Sequence, residues 1–305
     1  MLLPRVITQE GYAVTLRHIA RREGVLLTFL RRELSLSSSL VARLKWQNAF
    51  FVAGAPAHTN HPVHIGDEIT VVIHEQAEGF PAEALPLTIL YEDDYLIALD
   101  KPVGMLVHPS PCRNEGTLAN GLLFYYEQTG QACAIHPISR LDRDTFGVVL
   151  LAKSAYIHEK FRQLHQSGGM EKLYHAAVFG APPTESGIIE LPVYKTGGGS
   201  LIRSVDARGQ RAVTEYRILR HTAHTALLAL RPITGRTHQL RLHCLASGFP
   251  ILGDPQYQTE ASAVFSAAHG IAPQQLCACA LSFTHPMTGE PLRILSKQDV
   301  CLPER

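Results

Sequence analysis

The chain has 305 residues, of which 46% are hydrophobic and 18% charged. This is ordinary globular composition, so a disulfide-stapled mini-protein and a disordered chain are excluded. Lys and Arg number 28 against 27 for Asp and Glu, a formal net charge of +1, so any basic surface for a polyanion must be local.

The ends and apolar runs of the sequence bear on its location. No apolar run approaches the ~18 residues that a membrane-spanning helix needs. The first residues, MLLPRVITQEGYAVTLRH, lack the hydrophobic stretch of a signal peptide. Six cysteines are scattered without a paired CxxC pattern, which predicts reduced thiols and no zinc site. We expect a cytoplasmic protein without a membrane partner.

The first 85 residues read as a small α+β unit. VLLTFLRREL has the apolar spacing of a helix, and the serines at 37–39 can cap a second one, SLVARLKWQN. Two segments that follow, AFFVAGAPA and DEITVVI, have strand character. The acidic, proline-bearing stretch 75–86 predicts a linker. We therefore expect one unit over residues 1–85 and a second domain over 86–305.

The second domain is dominated by short strand-like runs. They are LTILYED, YLIALDKP, FGVVLLAKS, LYHAAVFG, AVTEYRILR, TALLALRPI and PLRILS, with helical patterns in YIHEKFRQLHQ and RTHQLRLHCLAS. Such a pattern predicts an α+β fold with a mixed, largely antiparallel sheet and flanking helices. The glycine-rich stretch 196–200 is predicted to be a loop and lacks the Lys-Ser/Thr of a phosphate-binding loop.

One charged cluster, SRLDRDTFGVVLLAKS at 139–154, precedes a strand. On an extended backbone the side chains of Arg140, Asp142 and Asp144 would share one face while Arg143 points away. The cluster is either a set of exposed ion pairs, worth ~0–1 kcal/mol each, or a carboxylate kept ionised as a nucleophile requires. Spacing alone leaves both open.

A second cluster is RPITGRTHQLRLHCLASGFPILGDPQY, residues 231–257. We expect its helix to open at Arg236, Thr237 and His238, and a helix N-terminus with arginines can bind phosphate. Arg236 and His238 are therefore predicted to contact phosphate. The spacing of His238 and His243 fits a shared metal ion poorly, so no metal site is expected.

These stretches together resemble the RluA-type family of pseudouridine synthases. The stretches that carry the resemblance are YLIALDKPVGMLVHPS, RLDRDTFGVVLLAKS, LYHAAVFG, AVTEYRIL, TGRTHQLRLHCLASGFPILGDPQY and LSFTHPMTGEPL, and order and spacing match over about 210 residues, 87–295. Residues 25–75 are similar to the small ribosomal-protein-type RNA-binding domain often fused ahead of such enzymes. The resemblance implies an isomerase that converts a uridine of ribosomal or transfer RNA to pseudouridine without a cofactor.

The resemblance also assigns roles. It implies that Asp142 is the nucleophile and that Arg140 fills the gap left by the flipped nucleotide. Tyr174 would stack on the base and assist proton removal at carbon 5. The arginine that pairs with the nucleophile would be Arg241, with Arg236 as the alternative. The phosphate contacts of Arg236 and His238 would be contacts to RNA, and Leu242 or a nearby apolar residue would wall the pocket. Arg43 and Lys45 are the RNA-binding candidates of the N-terminal unit.

Two positions depart from the family pattern. Ser139 stands where the family usually has His, and Phe146 where it has Ser; His136 is a conceivable substitute. These departures leave open a catalytically silent RNA-binding protein of the same fold. A glycoside hydrolase with Asp142 and Asp144 as its acid and base is a further alternative. Nothing in the sequence implies a protein partner, and a monomer is the default expectation.

Overall fold

The computed structural model describes residues 6–8, 11–75, 78–111, 113–196 and 202–303. Cys112 and most of the predicted glycine-rich loop lie outside the described residues. No described helix has the length and apolar character needed to cross a membrane.

The N-terminal part of the chain forms an antiparallel sheet with two short helices. Its elements are β1 (Val6–Thr8), β2 (Gly11–Ile19), β3 (Gly24–Val25), α1 (Leu26–Arg32), α2 (Ser38–Lys45), β4 (Phe50–Val52), β5 (Ala55–Pro56), β6 (Pro62–Val63) and β7 (Glu68–His74). The sheet order is β1-β2-β7-β4-β5, and β3 pairs separately with β6. The hydroxyl of Ser37 accepts the backbone N–H of Leu40 at 3.2 Å, so the predicted serine cap is present. Strands β1 and β2 were not predicted.

The rest of the chain is organised around a ten-stranded sheet. Its elements are β8 (Ile89–Glu92), β9 (Leu96–Lys101), α3 (Leu118–Gln128), β10 (His136–Pro137), β11 (Phe146–Ala152), α4 (Ala155–Gln166), β12 (Met170–Phe179), β13 (Ser186–Glu190), β14 (Val193–Lys195), β15 (Arg203–Val205), β16 (Val213–His221), β17 (Thr225–Pro232), α5 (Gln239–Ala246), α6 (Glu260–Ala268), β18 (Leu276–Thr284) and β19 (Pro291–Leu295). The main path runs β13-β16-β17-β12-β18-β11-β9-β8, with β10 on β11 and β19 on β18. Strands β14 and β15 form a separate pair.

This topology confirms the predicted fold class. Within the described residues of the large sheet, β11 and β18 are the one parallel pair, and they pair over two positions only. Helices α3 and α6 were missed because their sequences, LANGLLFYYEQ and EASAVFSAA, carry little helical periodicity. Each begins instead with a capping box, at Thr117 and at Thr259.

The start of α5 differs from the prediction. The helix begins at Gln239, and the preceding residues form a turn that ends at His238, whose backbone φ is 57°. The side chain of Gln239 explains the turn, because its carbonyl oxygen accepts the Thr234 hydroxyl at 2.8 Å and the Arg236 N–H at 3.0 Å.

The acidic stretch 75–86 packs against the second sheet and its helices. Glu75 is buried, contacts His136 at 3.1 Å and accepts the N–H at the start of α4. Glu83 accepts the Gly116 N–H at 2.8 Å. Residues from both sheets also share one apolar core, which includes Ile69 of β7 and Val148 and Leu150 of β11. The domain division near residue 85 stays a prediction.

Gly147 allows the close approach of β11 to β18. Its φ is +106°, a conformation that side chains with a Cβ rarely adopt, and a Cβ there would collide with the backbone carbonyl of Ala278. Because Gly147 lies just after the loop that carries Asp142, this contact also fixes where that loop leaves the sheet.

We expect Gly147→Ala to lower the free energy of unfolding by ~1–3 kcal/mol, the usual cost of overpacking, measured as a lower melting temperature. Gly130→Ala is the control, because Gly130 also has positive φ, +66°, but nothing lies within 4 Å of its added Cβ. Equal losses in the two variants would mean that the contact with Ala278 does not explain the glycine.

Candidate active site

A cavity of about 990 Å³ opens between the loop before β11, strand β12 and the start of α5. Its lining brings together side chains that are far apart in the sequence. Among them are all three predicted catalytic residues and three of the predicted RNA contacts: Asp142, Tyr174, Arg241, Arg140, Arg236 and His238.

Asp142 sits in a turn rather than on extended backbone. The Thr145 N–H closes the turn on the Asp142 carbonyl at 3.2 Å. The expectation that Arg143 points away from Asp144 is wrong, because Arg143 forms two hydrogen bonds with Asp144, at 3.0 and 2.9 Å. The turn separates the two carboxylates: Asp144 is bound to Arg143, and Asp142 faces the cavity.

Lys101 holds this turn from beneath. The side chain is fully buried, and its Nζ donates to the carbonyls of Pro102, Met105 and Arg143 at 2.9, 2.7 and 2.8 Å. Burial lowers the pKa of Lys101 to about 8, against the opposing charges of Asp144 and Asp142. A buried ammonium thus ties the loop that carries Asp142 to the loop after β9.

Arg241 is fixed by a buried carboxylate. Its Nε and Nη2 donate to the two oxygens of Asp254 at 2.6 and 2.8 Å, and Nη2 also reaches Gln256 at 3.2 Å. The guanidinium lies 4.8 Å from the ring centre of Tyr257. Burial disfavours the charged forms of Arg241 and Asp254. Their pairing outweighs it, so the pKa of Arg241 is raised and the pKa of Asp254 is lowered.

The remaining nitrogen of Arg241 reaches Asp142. Nη1 donates to Asp142 Oδ2 at 3.2 Å, and His238 Nε2 lies 3.8 Å from the same oxygen. The predicted proximity of Arg241 and Asp142 is thus present. The Asp142 side chain keeps 31% of its surface accessible, against 6% for Arg241. The carboxylate is therefore open to the cavity, whereas the guanidinium that lines the cavity beside it is almost fully buried.

Tyr174 stands beside this pair on β12. Burial, with the nearby charge of Asp142, raises the pKa of its hydroxyl. In the described part of the chain, that hydroxyl has no hydrogen-bond partner. Tyr174 is therefore a protonated phenol at neutral pH, free to contact a bound molecule.

Two predicted site residues need correction. Arg236 is exposed and donates to the Arg211 carbonyl at 3.2 Å, so it is not the arginine that pairs with Asp142. Leu242 does not wall the cavity, because it points to the opposite side of α5 and packs with Val193 and Tyr257. Leu240 lines the cavity in its place.

The departures from the family pattern have structural roles. The Ser139 hydroxyl accepts the Leu150 N–H at 3.0 Å and so ties the loop to β11. Phe146 is buried as the first residue of that strand. His136 does not substitute for the missing histidine, since it contacts Glu75 and does not line the cavity.

Sequence reasoning missed two residues of the site. Asp254 belongs to the second cluster, but the sequence assigns it no role. The Asp-Pro pair after a helix was a turn signal that could have drawn attention to it. In the structure its Oδ1 accepts the N–H groups of Gln256 and Tyr257, both at 2.9 Å. Lys172 lies two residues before Tyr174 on β12 and also lines the cavity. Burial lowers its pKa, and none of the described carboxylates pairs with it. The sequence signal for Lys172 was its spacing of two from Tyr174 on a predicted strand, which places both side chains on the same face of the sheet.

The chain is similar to known proteins. Residues 95–246 match the RNA pseudouridylate synthase family model. The uncharacterized RNA pseudouridine synthase YjbO of Bacillus subtilis is 31% identical over 86% of this chain and 91% of its own length. Ribosomal large subunit pseudouridine synthase D of Xanthomonas campestris is 35% identical over 74% of this chain and 70% of its own.

Two solved structures of human proteins are also similar to this chain. Human RNA pseudouridylate synthase domain containing 4 has a TM-score of 0.55 at 27% identity, covering 70% of this chain and 88% of that one. Human RNA pseudouridylate synthase domain containing 1, at 20% identity, shares the fold with a TM-score of 0.58 over 72% of this chain and 86% of that one.

We expect Asp254→Ala to lower the free energy of unfolding by ~3–5 kcal/mol, because it leaves the buried Arg241 without its main counter-charge. Thermal melting measures the loss. The control is Asp206→Ala, which removes the exposed partner of Arg208 and should leave the melting temperature unchanged. Equal melting temperatures for both variants would contradict the role given to Asp254.

Proposed function

This chain belongs to the RNA pseudouridylate synthase family, which confirms the resemblance seen in its sequence, and on that premise we propose that it isomerises a uridine of ribosomal RNA with Asp142 as the nucleophile. Relatives named ribosomal large subunit pseudouridine synthase D support ribosomal RNA over transfer RNA. A cytoplasmic site of action follows from that substrate. Family membership also removes the glycoside hydrolase alternative.

One observation carries the proposal. Asp142 faces the cavity beside Tyr174, and of the two carboxylates that line the cavity, Asp142 and Glu171, it is the one that a buried arginine holds, at 3.2 Å. The Arg241 guanidinium holds the carboxylate with a charge-assisted hydrogen bond, so the carboxylate stands oriented at the cavity as nucleophilic attack requires. Asp144, two residues later, has both carboxylate oxygens hydrogen-bonded to Arg143, so it is not free to act as the nucleophile.

Substrate entry would proceed by base flipping. A uridine stacked in RNA shields its glycosidic bond, so the nucleotide must leave the stack at a cost of a few kcal/mol. Arg140 is exposed at the rim of the cavity, where its side chain can enter the gap that the nucleotide leaves. Tyr174 offers an aromatic face inside the cavity for the flipped base.

The isomerisation itself needs a carboxylate. Asp142 either attacks carbon 1′ or takes a proton that opens another route, and the bond from nitrogen 1 to carbon 1′ breaks. The freed uracil anion rotates and its carbon 5 bonds to carbon 1′, which releases Asp142 as a carboxylate. Carbon 5 then loses its proton to solvent and nitrogen 1 gains one, so the product is an isomer of the substrate. Because burial raises the pKa of Tyr174, its phenol acts here as a stacking and hydrogen-bonding group that relays protons rather than as a preformed base.

The N-terminal unit would add affinity for RNA. Arg43 and Lys45 are exposed on the last turn of α2, and neither forms an ion pair with a described residue. Trp46 follows them with 85% of its surface exposed. Two unpaired cations beside an exposed indole can contact phosphates and stack on an unpaired base.

We expect Asp142→Asn to abolish pseudouridine formation, because the amide can neither attack carbon 1′ nor accept the proton. Tritium release from RNA labelled at carbon 5 of uridine measures turnover. Asp144→Asn is the matched control and should keep most of the activity. Comparable turnover in Asp142→Asn and native enzyme would refute the proposal, and absence of release by native enzyme from any cellular RNA would favour the silent RNA-binding protein.

The substrate is tested separately by mapping pseudouridines in a deletion strain. One site missing from ribosomal RNA, restored by the native gene and not by the Asp142→Asn gene, is the expected result. A site missing from transfer RNA alone would replace the proposed substrate and leave the chemistry intact.

For the N-terminal unit, we expect the double variant Arg43→Ala, Lys45→Ala to raise KM with kcat unchanged. The slope of log affinity against log salt should fall by about 2, one for each lost phosphate contact. Arg22→Ala is the control, since Arg22 already pairs with Glu33 at 3.1 Å. Identical KM and salt slope in the double variant and native enzyme would exclude this surface from RNA binding.

A further inference from the structure

His238 occupies an unusual position at the start of α5. Its φ of 57° is left-handed, which is uncommon for a residue with a side chain and is found most often at functional sites. The backbone turn places the imidazole between two partners: Nδ1 lies 2.9 Å from the Tyr257 hydroxyl, and Nε2 lies 3.8 Å from Asp142 Oδ2.

The hydrogen bonds around Tyr257 identify where the imidazole proton is. The backbone N–H of Arg203 donates to the Tyr257 hydroxyl oxygen at 2.7 Å. Among the described residues, Nδ1 of His238 is the only acceptor within reach of that hydroxyl's own proton. Nδ1 therefore accepts, and a neutral imidazole with Nδ1 as acceptor carries its proton on Nε2. That proton faces Asp142.

The surroundings of His238 favour the neutral ring. Burial lowers its pKa, and only 12% of its side chain is accessible. The charges of Asp142 and Asp254 oppose this effect, whereas those of Arg241 and Arg203 reinforce it. The Tyr257 hydroxyl further stabilises the neutral ring, because it occupies the nitrogen that a second proton would need.

The two oxygens of Asp142 are unequal. Oδ2 receives Nη1 of Arg241 and faces Nε2 of His238, whereas Oδ1 accepts no hydrogen bond from the part of the chain that the structure describes. Because Arg241 holds Oδ2, Oδ1 is the oxygen of this cavity-lining carboxylate that is left for a bound molecule.

We propose that His238 is a positioning residue, which as the neutral Nε2–H tautomer donates a second hydrogen bond to Oδ2 of Asp142 and leaves Oδ1 as the reacting oxygen. The 3.8 Å separation shortens to a hydrogen bond when RNA fills the cavity, as happens to catalytic contacts that are long in free enzymes. The inference rests on the proposed role of Asp142, and it differs from the phosphate contact predicted for His238 from the sequence.

Nitrogen NMR of the native full-length enzyme tests the tautomer directly. In long-range proton–nitrogen spectra at about pH 7, we expect Nδ1 of His238 to be unprotonated and Nε2 protonated, with the signals assigned by their loss in His238→Gln. In Tyr257→Phe, which keeps the ring over Arg241, the pKa of His238 should rise because Nδ1 is no longer occupied. An Nδ1–H tautomer or an imidazolium in native enzyme would overturn the proposal.

Kinetics test the consequence. We expect His238→Ala to lower kcat about 10- to 100-fold with KM nearly unchanged, the effect of losing one hydrogen bond to a charged group. His238→Gln, whose amide N–H can reach the position of Nε2, should recover most of kcat. A rise in KM alone would identify a phosphate contact, and equal losses in both variants would identify a structural role; either result overturns the proposal.

The two proposals can fail separately. If Asp142→Asn keeps its activity, the nucleophile is wrong whatever the tautomer of His238. If Asp142→Asn is inactive and His238 carries its proton on Nδ1, only the positioning role is wrong. Melting temperatures of both His238 variants show whether either has lost its fold.

Discussion

The buried pair of Arg241 and Asp254 is the constraint on which the site depends. Arg241 must stay charged beneath the cavity, and Asp254 compensates that charge with two short hydrogen bonds. Two nitrogens of the guanidinium are committed to Asp254, so its plane is fixed and Nη1 can point in only one direction. That direction is Asp142. The orientation of the proposed nucleophile is thus set by Asp254, a carboxylate that is fully buried.

Backbone geometry fixes the other partner of Arg241, the loop that carries Asp142. The Asp142 turn is held by the Lys101 ammonium, and β11 is placed by the close contact of Gly147 with Ala278. Asp142 therefore approaches Arg241 from a loop that is fixed at both ends. Because these groups are already in position, little free energy is spent on reorganising them when the reaction begins. Such preorganisation is the main way in which enzymes stabilise developing charge.

Sequence patterns predicted the parts of this arrangement that depend on local order. Strand periodicity gave the fold class, the serine cap gave α2, and motif resemblance brought Asp142, Tyr174 and Arg241 to one site. Contacts that cross the fold were not visible: the pairing of Arg241 with Asp254 depends on how the chain turns after α5. Leu242 shows the same limit, because the face of α5 that meets the cavity is set by how the helix packs, and that face carries Leu240. The departures at Ser139 and Phe146 became interpretable only when both were seen to support β11.

The near-zero net charge is compatible with an RNA-modifying enzyme because of where the charges are. Arginines and lysines around the cavity fall into two groups. Arg241 and Arg231 pair with carboxylates, whereas Arg140 and Arg236 are exposed and Lys172 has no carboxylate partner among the described residues. Only the second group can meet phosphates, and it lies at the mouth and on the lining of the cavity. Few phosphate contacts give modest, salt-sensitive affinity, so recognition must come largely from the shape of an RNA that allows one uridine to leave its stack. Selectivity then arises at the flipping step, where a base in a weakly stacked or unpaired position costs least to extrude.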